Sequence, residues 1–254
     1  MARFDLSDGE WALIKPLLPN KSRGVARVDD RRVLNGIFYV LRTGSPWRDL
    51  PERYGPYTTV YNRFNRWAKA GVWLRVFETL AARSPHSMAL IDSSIIRAHQ
   101  HAAGGKKGGE DHAIGRSRGG LSTKINAVVD ENGLPVRLML TPGQAHDLRA
   151  ASFLLEGLKC RDVVADRGYD ADALLHMIRA SGAKAHIPST SQRVTQRSVS
   201  RRIYRQRNLV ERFFCKLKHF RRIATRFDKL ACNFLAAVAL ASARLWTRVY
   251  ESTP

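Results

Sequence analysis

A stretch of fifteen residues, YRQRNLVERFFCKLK at positions 204–218, constrains the fold more than any other part of this chain. In a helix of about 100° per residue, Arg207, Glu211 and Lys218 share an arc of roughly 60° with Tyr204. Apolar residues fill the adjoining arc and can pack on a core; they are Val210, Phe213, Phe214, Leu217 and Phe220. The pattern predicts an amphipathic helix with one acid between cations, where its carboxylate can reach a metal ion while the cations hold a polyanion. An ordinary helix with a surface ion pair is the alternative.

The charge of the chain points to a polyanionic partner. Its 254 residues include 43 Lys and Arg against 22 Asp and Glu, which gives a formal net charge of +21. Such an excess favours nucleic acid as the partner. A ribosomal or other structural RNA-binding protein is the alternative that charge alone leaves open. The length of 254 residues is enough for one large domain or two modest ones, and the apolar fraction of 44% can supply a core.

Other features favour a soluble protein of the cytoplasm, associated with the nucleoid. The cysteines Cys160, Cys215 and Cys232 are far apart, show no metal-ligand spacing and are expected to be free thiols. The N-terminus has no apolar signal core. The longest apolar stretch, FLAAVALASARLW from Phe234, is too short to span a bilayer. We therefore expect no membrane partner, and no organic cofactor.

Residues 1–83 are predicted to form a small all-helical domain. Ser7 and Glu10 have the spacing of a capping box, and further helices are expected to begin or end at Asp29 or Asp30, Gly44, Thr58 or Thr59, and Gly71. The third helix is rich in Arg, Asn and Tyr, which suits the recognition helix of a helix-turn-helix motif, where Arg63 and Arg66 would contact DNA. An ordinary solvated helix face is the alternative, because no spacing here is diagnostic of base reading.

Residues 84–254 change to a pattern of strands and helices. Strands are expected in SMALIDSSII, TKINAVVD, LPVRLMLT, CRDVVAD and KAHIP. Asp147 and Asp170 are each expected to cap a helix, and helix 204–218 and an apolar helix complete the chain. The order strand, strand, strand, helix, strand, helix, strand, helix predicts an RNase H-like mixed sheet with helices on both faces.

Two basic loops in this second region are candidates for phosphate contacts. The glycine-rich segment GRSRGGLSTK presents Arg118 and Lys124, although a solvated basic turn fits it as well. The loop 189–203 is rich in Ser, Thr and Arg, and its candidate arginines are Arg193, Arg197, Arg201 and Arg202. Three histidines lack a fixed tetrahedral arrangement and are expected to be loop residues rather than metal ligands: His99, His101 and His112.

Three acids stand in contexts that resemble those of a known enzyme family. Asp92 lies in IDSS, Asp166 in ADRGYD, and Glu211 in Tyr-x2-Arg-x3-Glu-x6-Lys. Together these motifs resemble those of the DDE-class transposases of bacterial insertion sequences, in particular the insertion-sequence-five group, from Met88 to Trp246. The family branch with a β-domain before the last acid has no counterpart here, because only the loop 189–203 intervenes.

The resemblance implies a transposase that binds the terminal inverted repeats of an insertion sequence, cleaves the element ends by metal-dependent hydrolysis and joins the 3′ ends to target DNA. Asp92, Asp166 and Glu211 would be the catalytic acids and would hold two Mg²⁺ ions, with Mn²⁺ as a substitute, because packed carboxylates need cations. The other members of the signature would contact DNA beside the scissile bond: Tyr204, Arg207 and Lys218. The helical domain would bind the element ends, and joining two ends implies a homodimer.

Two further functions are open at this point. One is an RNase H-like DNA nuclease without strand transfer, which would use the same acids. The other is a DNA-binding protein whose catalytic domain is silent. The presence of all three acids argues against the silent protein.

Overall fold

The computed structural model describes residues 3–20, 27–103, 112–117 and 119–251. The chain divides into two compact units: the first comprises residues 1–80, 99–108 and 217–254, and the second residues 81–98 and 109–216. The first unit differs from the contiguous block 1–83 expected from the sequence, because the C-terminal segment packs with the N-terminal helices. The functional boundary at residue 84 stays a prediction.

Helices and strands follow one another along the described residues with short connections. The helices are α1 (Asp8–Ile14), α2 (Asp30–Thr43), α3 (Tyr57–Lys69), α4 (Val72–Ala81), α5 (Asp147–Leu155), α6 (Asp172–Ala180), α7 (Arg201–Tyr204), α8 (Asn208–Lys218), α9 (Arg221–Ala224) and α10 (Ala231–Glu251). The strands are β1 (Met88–Ala98), β2 (Gly115–Ser117), β3 (Gly120–Val129), β4 (Pro135–Pro142), β5 (Asp162–Val164), β6 (Lys184–His186) and β7 (Thr225–Arg226). Among the helices of the described ranges, none is both long and apolar enough to cross a membrane.

Local hydrogen bonds set the first helix boundaries where the sequence predicts them. The Ser7 hydroxyl accepts from the Glu10 N–H, and the Glu10 carboxylate accepts from the Ser7 N–H, both at 3.0 Å, so the capping box is confirmed. Asp29 caps α2, and Gly44 ends it with φ of 76°, a left-handed conformation that glycine adopts without strain.

The start of α3 is the exception. Thr58 and Thr59 do not cap it: the helix begins at Tyr57, directly after Pro56, and has no side-chain cap. The ring of Pro56 holds φ at −58°, close to the helical value, which is compatible with a helix start. The expectation of a threonine cap is therefore wrong.

A buried ion pair ties α10 to α1 within the first unit. The guanidinium of Arg244 lies 3.2 Å from the carboxylate of Glu10, and both side chains are only 4% exposed. The same guanidinium donates to the carbonyl oxygens of Phe4 and Asp5 and lies 4.6 Å from the centre of the Phe38 ring. Burial lowers the pKa of Arg244, and the Glu10 carboxylate acts against that change. Glu10 is therefore needed to keep this charge in the core.

The second unit contains the predicted mixed sheet. β3 pairs antiparallel with β1 on one side and with β2 and β4 on the other, whereas β5 is parallel to both β1 and β6. The expected hairpin turn joins β3 to β4, and Gly133 completes it with φ of 72°. The predicted fold class, an RNase H-like mixed sheet flanked by helices and preceded by a helical region, is confirmed.

The two faces of this sheet have different roles. Ala89 and Ile91 of β1 pack into an apolar core with residues of α5 and α6. Side chains alternate along a strand, so Ser93 belongs to the same face as Ile91. Leu90 and Asp92 point to the opposite face, which leaves Asp92 outside this core.

The segment 204–218 is helical only in part. α7 ends at Tyr204, a 3-10 turn covers 205–207, and α8 begins at Asn208. The apolar stripe is buried as predicted, whereas the Glu211 side chain is 48% exposed. The amphipathic pattern therefore located the buried face correctly, although the helix is not continuous.

Removal of the Glu10 carboxylate is expected to destabilise the first unit. Glu10→Ala leaves Arg244 buried without its acid, and removing one partner of a buried ion pair costs about 3–5 kcal/mol. Urea unfolding of the purified variant measures the loss. Asp8→Ala is the matched control, because Asp8 lies on the same helix with its side chain 94% exposed. Equal losses in the two variants would contradict the role of Glu10.

Candidate active site

The sequence suggested that Asp92 lies near the end of its strand. In the structure it lies in the middle of β1. Its side chain is 20% exposed. One carboxylate oxygen, Oδ1, accepts a hydrogen bond from the Ser93 N–H at 2.7 Å, and Oδ2 lies 3.0 Å from the guanidinium of Arg207. Burial raises the pKa of Asp92 above its usual value, and these two contacts act against the rise. The carboxylate is therefore held by a backbone donor on one side and a cation on the other.

Asp166 follows β5 and lies next to Asp92 because of the sheet register. The last pair between the parallel strands is Leu90 with Val164. Both acids occur two residues beyond that pair, so they have matching positions and point to the same face. The charge of Asp166 adds to burial in raising the pKa of Asp92, as neighbouring carboxylates do. Asp166 Oδ1 accepts from the Gly168 N–H at 2.8 Å.

Glu211 joins the site through Arg207. It lies one helical turn after Arg207, and its carboxylate pairs with the guanidinium that also holds Asp92. One cation is thus shared by two acids that are far apart in the sequence. Arg207 therefore brings Asp92 and Glu211 together. The pairing of β1 with β5 brings Asp166 next to Asp92.

These acids fit a divalent metal ion by their chemistry. Across the described ranges, no three His, Cys, Asp or Glu side chains lie close enough together to hold an ion. Carboxylate oxygens are nevertheless the ligands that Mg²⁺ and Mn²⁺ prefer. Asp92 and Glu211 already share one cationic group, the guanidinium of Arg207. The donor set is therefore suited to cations, with Arg207 occupying the space between two of its members.

The two outer members of the signature are not part of this contact network. Tyr204 is the half-buried last residue of α7. Lys218 is the exposed last residue of α8. Their contacts with DNA stay predictions.

Lys124 is buried, which corrects its predicted role as a phosphate contact. Only 8% of the residue is exposed. Its ammonium group lies 2.8 Å from Asp147 Oδ1 and donates to the Ala145 carbonyl oxygen at 2.7 Å. A lysine so engaged is not presented to a duplex. Arg118, predicted together with Lys124, lies outside the described residues.

Asp147 belongs to the site, and sequence reasoning missed it. The expected helix cap is wrong, because His146 caps α5 by accepting from the Leu148 N–H at 3.3 Å. Asp147 instead accepts a hydrogen bond from the Ser93 hydroxyl at 2.8 Å and pairs with Lys124. Its position at a helix start favoured a cap. Only the pairing of β1 with β3 brings Ser93 and Lys124 together, and no motif indicates that.

Tyr169 belongs to the apolar core and lies near the group formed by Asp147, Asp92 and Asp166. The residue is only 1% exposed. Burial raises the pKa of its phenol, and the negative charges that add to this rise are those of Asp147, Asp92 and Asp166. Its surroundings place Asp147 with the predicted acids rather than apart from them.

Only one of the two arginines predicted to contact DNA on the candidate recognition helix α3 is exposed to solvent. Arg63 is 5% exposed, pairs with Asp30 and lies 4.9 Å from the centre of the Trp67 ring. This side chain is part of the helical core, which corrects its predicted contact with DNA. Arg66 is exposed on the same helix and keeps its guanidinium at the surface.

The four arginines of the loop 189–203 also separate into two pairs. Arg193 and Arg197 both bind the fully buried carboxylate of Asp170 but stay partly exposed, so their contacts with phosphate stay predictions. The expected cap of α6 by Asp170 is wrong, because the N-cap residue is Ala171 and the helix has no side-chain cap. The Asp170 carboxylate instead accepts from the Thr190 N–H at 2.8 Å and anchors the loop. The other pair is exposed at the start of α7: Arg201 and Arg202.

Two family models together match most of the chain. The model described as "Transposase DDE domain" matches residues 83–246. The model described as "Putative transposase of IS4/5 family" matches residues 6–77. The first match alone covers more than half of the chain, and it includes all three predicted acids.

Two relatives and one solved structure show how similar individual proteins are to this chain. The putative transposase for insertion sequence element IS6501 of Brucella ovis is 43% identical over 130 residues, which cover 50% of this chain and 100% of the relative. An uncharacterized 16.2 kDa protein of insertion element IS402 from Burkholderia cepacia is 39% identical over 130 residues, which cover 46% of this chain and 86% of the relative. Among solved structures, the piggyBac transposase synaptic complex with hairpin DNA aligns at 12% identity with a TM-score of 0.39, over 75% of this chain and 50% of that chain.

The anchoring of the loop 189–203 is expected to fail in acid. Burial alone would raise the pKa of Asp170, but the bonds from Arg193, the Thr190 N–H and Arg197 outweigh it and lower the pKa to about 2. The unfolded value is about 3.9, so this contribution is complete above about pH 4 and is lost as the pH falls towards 2. Hydrogen exchange of the Thr190 amide, corrected for its intrinsic pH dependence, should accelerate over that interval.

The matched control for this anchor is Asp172, whose side chain also contacts Arg193 but is 84% exposed. Asp170→Asn should remove the protection of the Thr190 amide at neutral pH, and Asp172→Asn should leave most of it. Full protection in Asp170→Asn would show that the carboxylate does not anchor the loop.

Proposed function

This chain belongs to the DDE transposase family, and on that premise we propose that it moves an insertion sequence by cutting and joining DNA. It binds the terminal inverted repeats of the element, cleaves the element ends by metal-dependent hydrolysis and joins the freed 3′ ends to target DNA. The observation that carries the proposal is the pairing of Asp92 and Glu211 with one guanidinium, together with the matching position of Asp166 just after the neighbouring strand β5. Such a group of carboxylates supplies the ligands that phosphodiester chemistry with divalent ions requires.

Asp92, Asp166 and Glu211 would hold two Mg²⁺ ions, with Mn²⁺ as a substitute. When bound, a pair of such ions activates the attacking oxygen and stabilises the leaving oxygen of an in-line displacement. The chain itself positions the three carboxylates: Asp92 lies on β1, Asp166 follows β5, and Glu211 lies on α8. Water attacks first and frees a 3′-hydroxyl, which then attacks the target phosphodiester. No side-chain nucleophile and no covalent protein–DNA intermediate are required.

Arg207 would change partners during this reaction. A guanidinium binds phosphate oxygens in the same forked geometry as it binds carboxylates. A DNA phosphate can therefore replace the acids that hold Arg207 in the free protein. In the complex, Arg207 would contact a phosphate beside the scissile bond, and Tyr204 and Lys218 would contact the same DNA end.

Specific and general DNA binding would use different residues. Arg66 is the candidate for base reading, because it is exposed on a helix and arginine commonly contacts guanine in the major groove. Arg201 and Arg202 are candidates for phosphate contacts. Arg63 and Lys124 are buried and bind carboxylates within the protein, so they are not proposed as DNA contacts. Arg193 and Arg197 are partly exposed, as Arg207 is, and their phosphate contacts stay predictions.

The active complex would contain two protomers. A transposase has to bring two element ends together before it joins them to the target. One protomer bound to each end is the simplest arrangement that achieves this. The homodimer is therefore part of the proposal.

A nuclease that cleaves but does not join DNA would use the same three carboxylates. An assay with a pre-cleaved, labelled element end separates the two functions. The transposase should join the label covalently to a supercoiled target, whereas the nuclease should leave the label unjoined. A silent DNA-binding protein should show neither joining nor nicking.

Glu211→Asp is expected to be nearly as inactive as Glu211→Gln in nicking a supercoiled plasmid that carries the element ends. The shorter side chain withdraws the carboxylate by one methylene, about 1.5 Å. Mg²⁺ sites tolerate little deviation, and catalytic groups displaced by about 1 Å lose on the order of a hundredfold in rate. Mn²⁺ should restore part of the activity of the aspartate variant only. Both variants should bind the element ends normally in a gel shift.

Glu156→Gln is the control for this experiment, because it removes an exposed glutamate elsewhere in the second unit. It should nick like the wild type. If Glu211→Gln also nicked at the wild-type rate, Glu211 would be only a surface partner of Arg207, in a pair worth at most about 1 kcal/mol.

The salt dependence of DNA binding is expected to distinguish the loop arginines. Each phosphate contact contributes about 0.9 to the slope of log affinity against log salt, so Arg201→Ala/Arg202→Ala should lower that slope by about 1.8. The matched control is Arg149→Ala/Arg179→Ala, which removes two exposed arginines from α5 and α6. An unchanged slope in the first double variant would mean that Arg201 and Arg202 do not touch DNA.

A further inference from the structure

Asp147 is an additional carboxylate near the predicted acids, and all of its described contacts are polar and short. Its Oδ1 atom accepts a hydrogen bond from the Ser93 hydroxyl at 2.8 Å and lies 2.8 Å from the Lys124 ammonium group. The ammonium group also donates to the Ala145 carbonyl oxygen at 2.7 Å, just before the start of α5. Lys124 is thus fixed by two oxygens, and it balances the charge of Asp147.

The sheet register explains why these groups meet. β1 and β3 are antiparallel, with Ile95 opposite Lys124 and Ser93 opposite Asn126. Paired residues and residues two apart share a face, so Ser93 and Lys124 both belong to the face covered by α5. Asp147 begins α5 on that same face. The contacts therefore follow from the fold rather than from one flexible side chain.

Ser93 connects this group to the predicted catalytic acid. Its hydroxyl donates to Asp147, and its backbone N–H donates to Asp92 Oδ1 at 2.7 Å. The parallel pairing of β1 with β5 ends at Leu90, so beyond this point β5 does not constrain β1. β3 still pairs with β1 through Ser93, and the bond from the Ser93 hydroxyl to Asp147 adds a second restraint on the residue whose N–H Asp92 accepts.

We propose that Lys124, Asp147 and Ser93 form a positioning network for the carboxylate of Asp92. Lys124 holds Asp147 on the α5 face, Asp147 holds the Ser93 hydroxyl, and Ser93 holds Asp92 from the opposite face of the strand. Supporting groups of this kind orient metal-binding side chains, and their loss commonly costs ten- to a hundredfold in metal affinity or activity. The effect on cleavage rests on the proposed function, whereas the effect on metal binding can be measured without it.

The contacts favour positioning over direct metal binding by Asp147. Its Oδ1 atom is already used by a hydroxyl and an ammonium group, and both would be lost or weakened if an ion took that oxygen. The paired lysine also adds a positive charge close to any such ion. Ser93, in contrast, contacts Asp92 directly through its backbone, so its side chain can influence the acid without joining the ligands.

The test compares Ser93→Ala, Asp147→Ala and the rescue variant Ser93→Thr in the full-length protein. Mn²⁺ affinity is measured by electron paramagnetic resonance, and nicking is measured at saturating Mg²⁺. Ser93→Ala and Asp147→Ala should each lower the nicking rate about ten- to a hundredfold and weaken Mn²⁺ binding, with end binding close to wild type. The melting temperature should stay close to wild type in Ser93→Ala and fall in Asp147→Ala, because that variant leaves the buried Lys124 without its acid. Ser93→Thr keeps a hydroxyl and should recover most of the activity. The double alanine variant should be little worse than either single one, because both act through one path.

Ser152→Ala and Glu156→Gln are the controls, since both remove an exposed polar group from α5 or its end. Loss of Mn²⁺ binding in Asp147→Ala but not in Ser93→Ala would overturn the proposal and make Asp147 a ligand. A lower melting temperature with unchanged Mn²⁺ affinity and nicking would overturn it in favour of a purely structural role.

If the wild type binds Mn²⁺ but never nicks DNA, the proposed function fails, and the Mn²⁺ affinities still decide the positioning role. A wild type that binds no Mn²⁺ overturns both.

Discussion

Carboxylates packed at one place on a sheet repel one another, and the active-site region depends on the cation that separates them. Here that cation is the guanidinium of Arg207, which pairs with Asp92 on β1 and with Glu211 on α8. The pairing offsets part of the cost of burying Asp92, whose pKa is raised by burial and by the charges of Asp166 and Asp147. Arg207 therefore joins the helix to the sheet at the point where the chemistry is proposed to occur.

The sheet determines which side chains can reach that point. β1 and β5 are parallel and end their pairing at Leu90 and Val164, so Asp92 on β1 and Asp166 just after β5 have equivalent positions two residues beyond that pair. The alternation of side chains sends these two acids to one face and Ser93 to the other. One face thus carries the proposed metal ligands, while the face under α5 carries the groups that hold β1 in place. Moving the register by a single residue would send Asp92 into the apolar core.

The sequence was sufficient for the features that depend on local patterns or on motifs. The capping box at Ser7, the end of α2 at Gly44, the buried stripe of α8 and the RNase H-like sheet all follow from spacing, turn residues and strand order. The same reasoning failed where a charged side chain finds its partner through the fold. Lys124 was expected at the surface, yet the pairing of β1 with β3 brings it to Asp147.

The net charge of +21 is a second case in which the sequence does not reveal the partner of a charged side chain. It indicates a polyanionic partner, but it does not tell which cations are free to bind one. Asp170 occupies Arg193 and Arg197, and Asp30 occupies Arg63, so these positive side chains hold the protein together. A sequence pattern treats them like Arg66 and Arg201, which the structure leaves exposed. The tertiary contacts are needed to distinguish basic side chains that form ion pairs within the protein from those that are free to bind DNA.

Three distant segments are proposed to form one cation site, and metal-directed backbone cleavage measures whether they surround the same ion. Fe²⁺ bound in place of Mg²⁺ generates hydroxyl radicals when ascorbate and peroxide are added, and these cut the chain only near the ion. Cuts are expected near residues 92, 166 and 211 in the same sample, all suppressed by excess Mg²⁺ and all lost together in Asp92→Asn. Cuts near one of these positions without the other two, or cuts that persist in Asp92→Asn, would contradict one shared site.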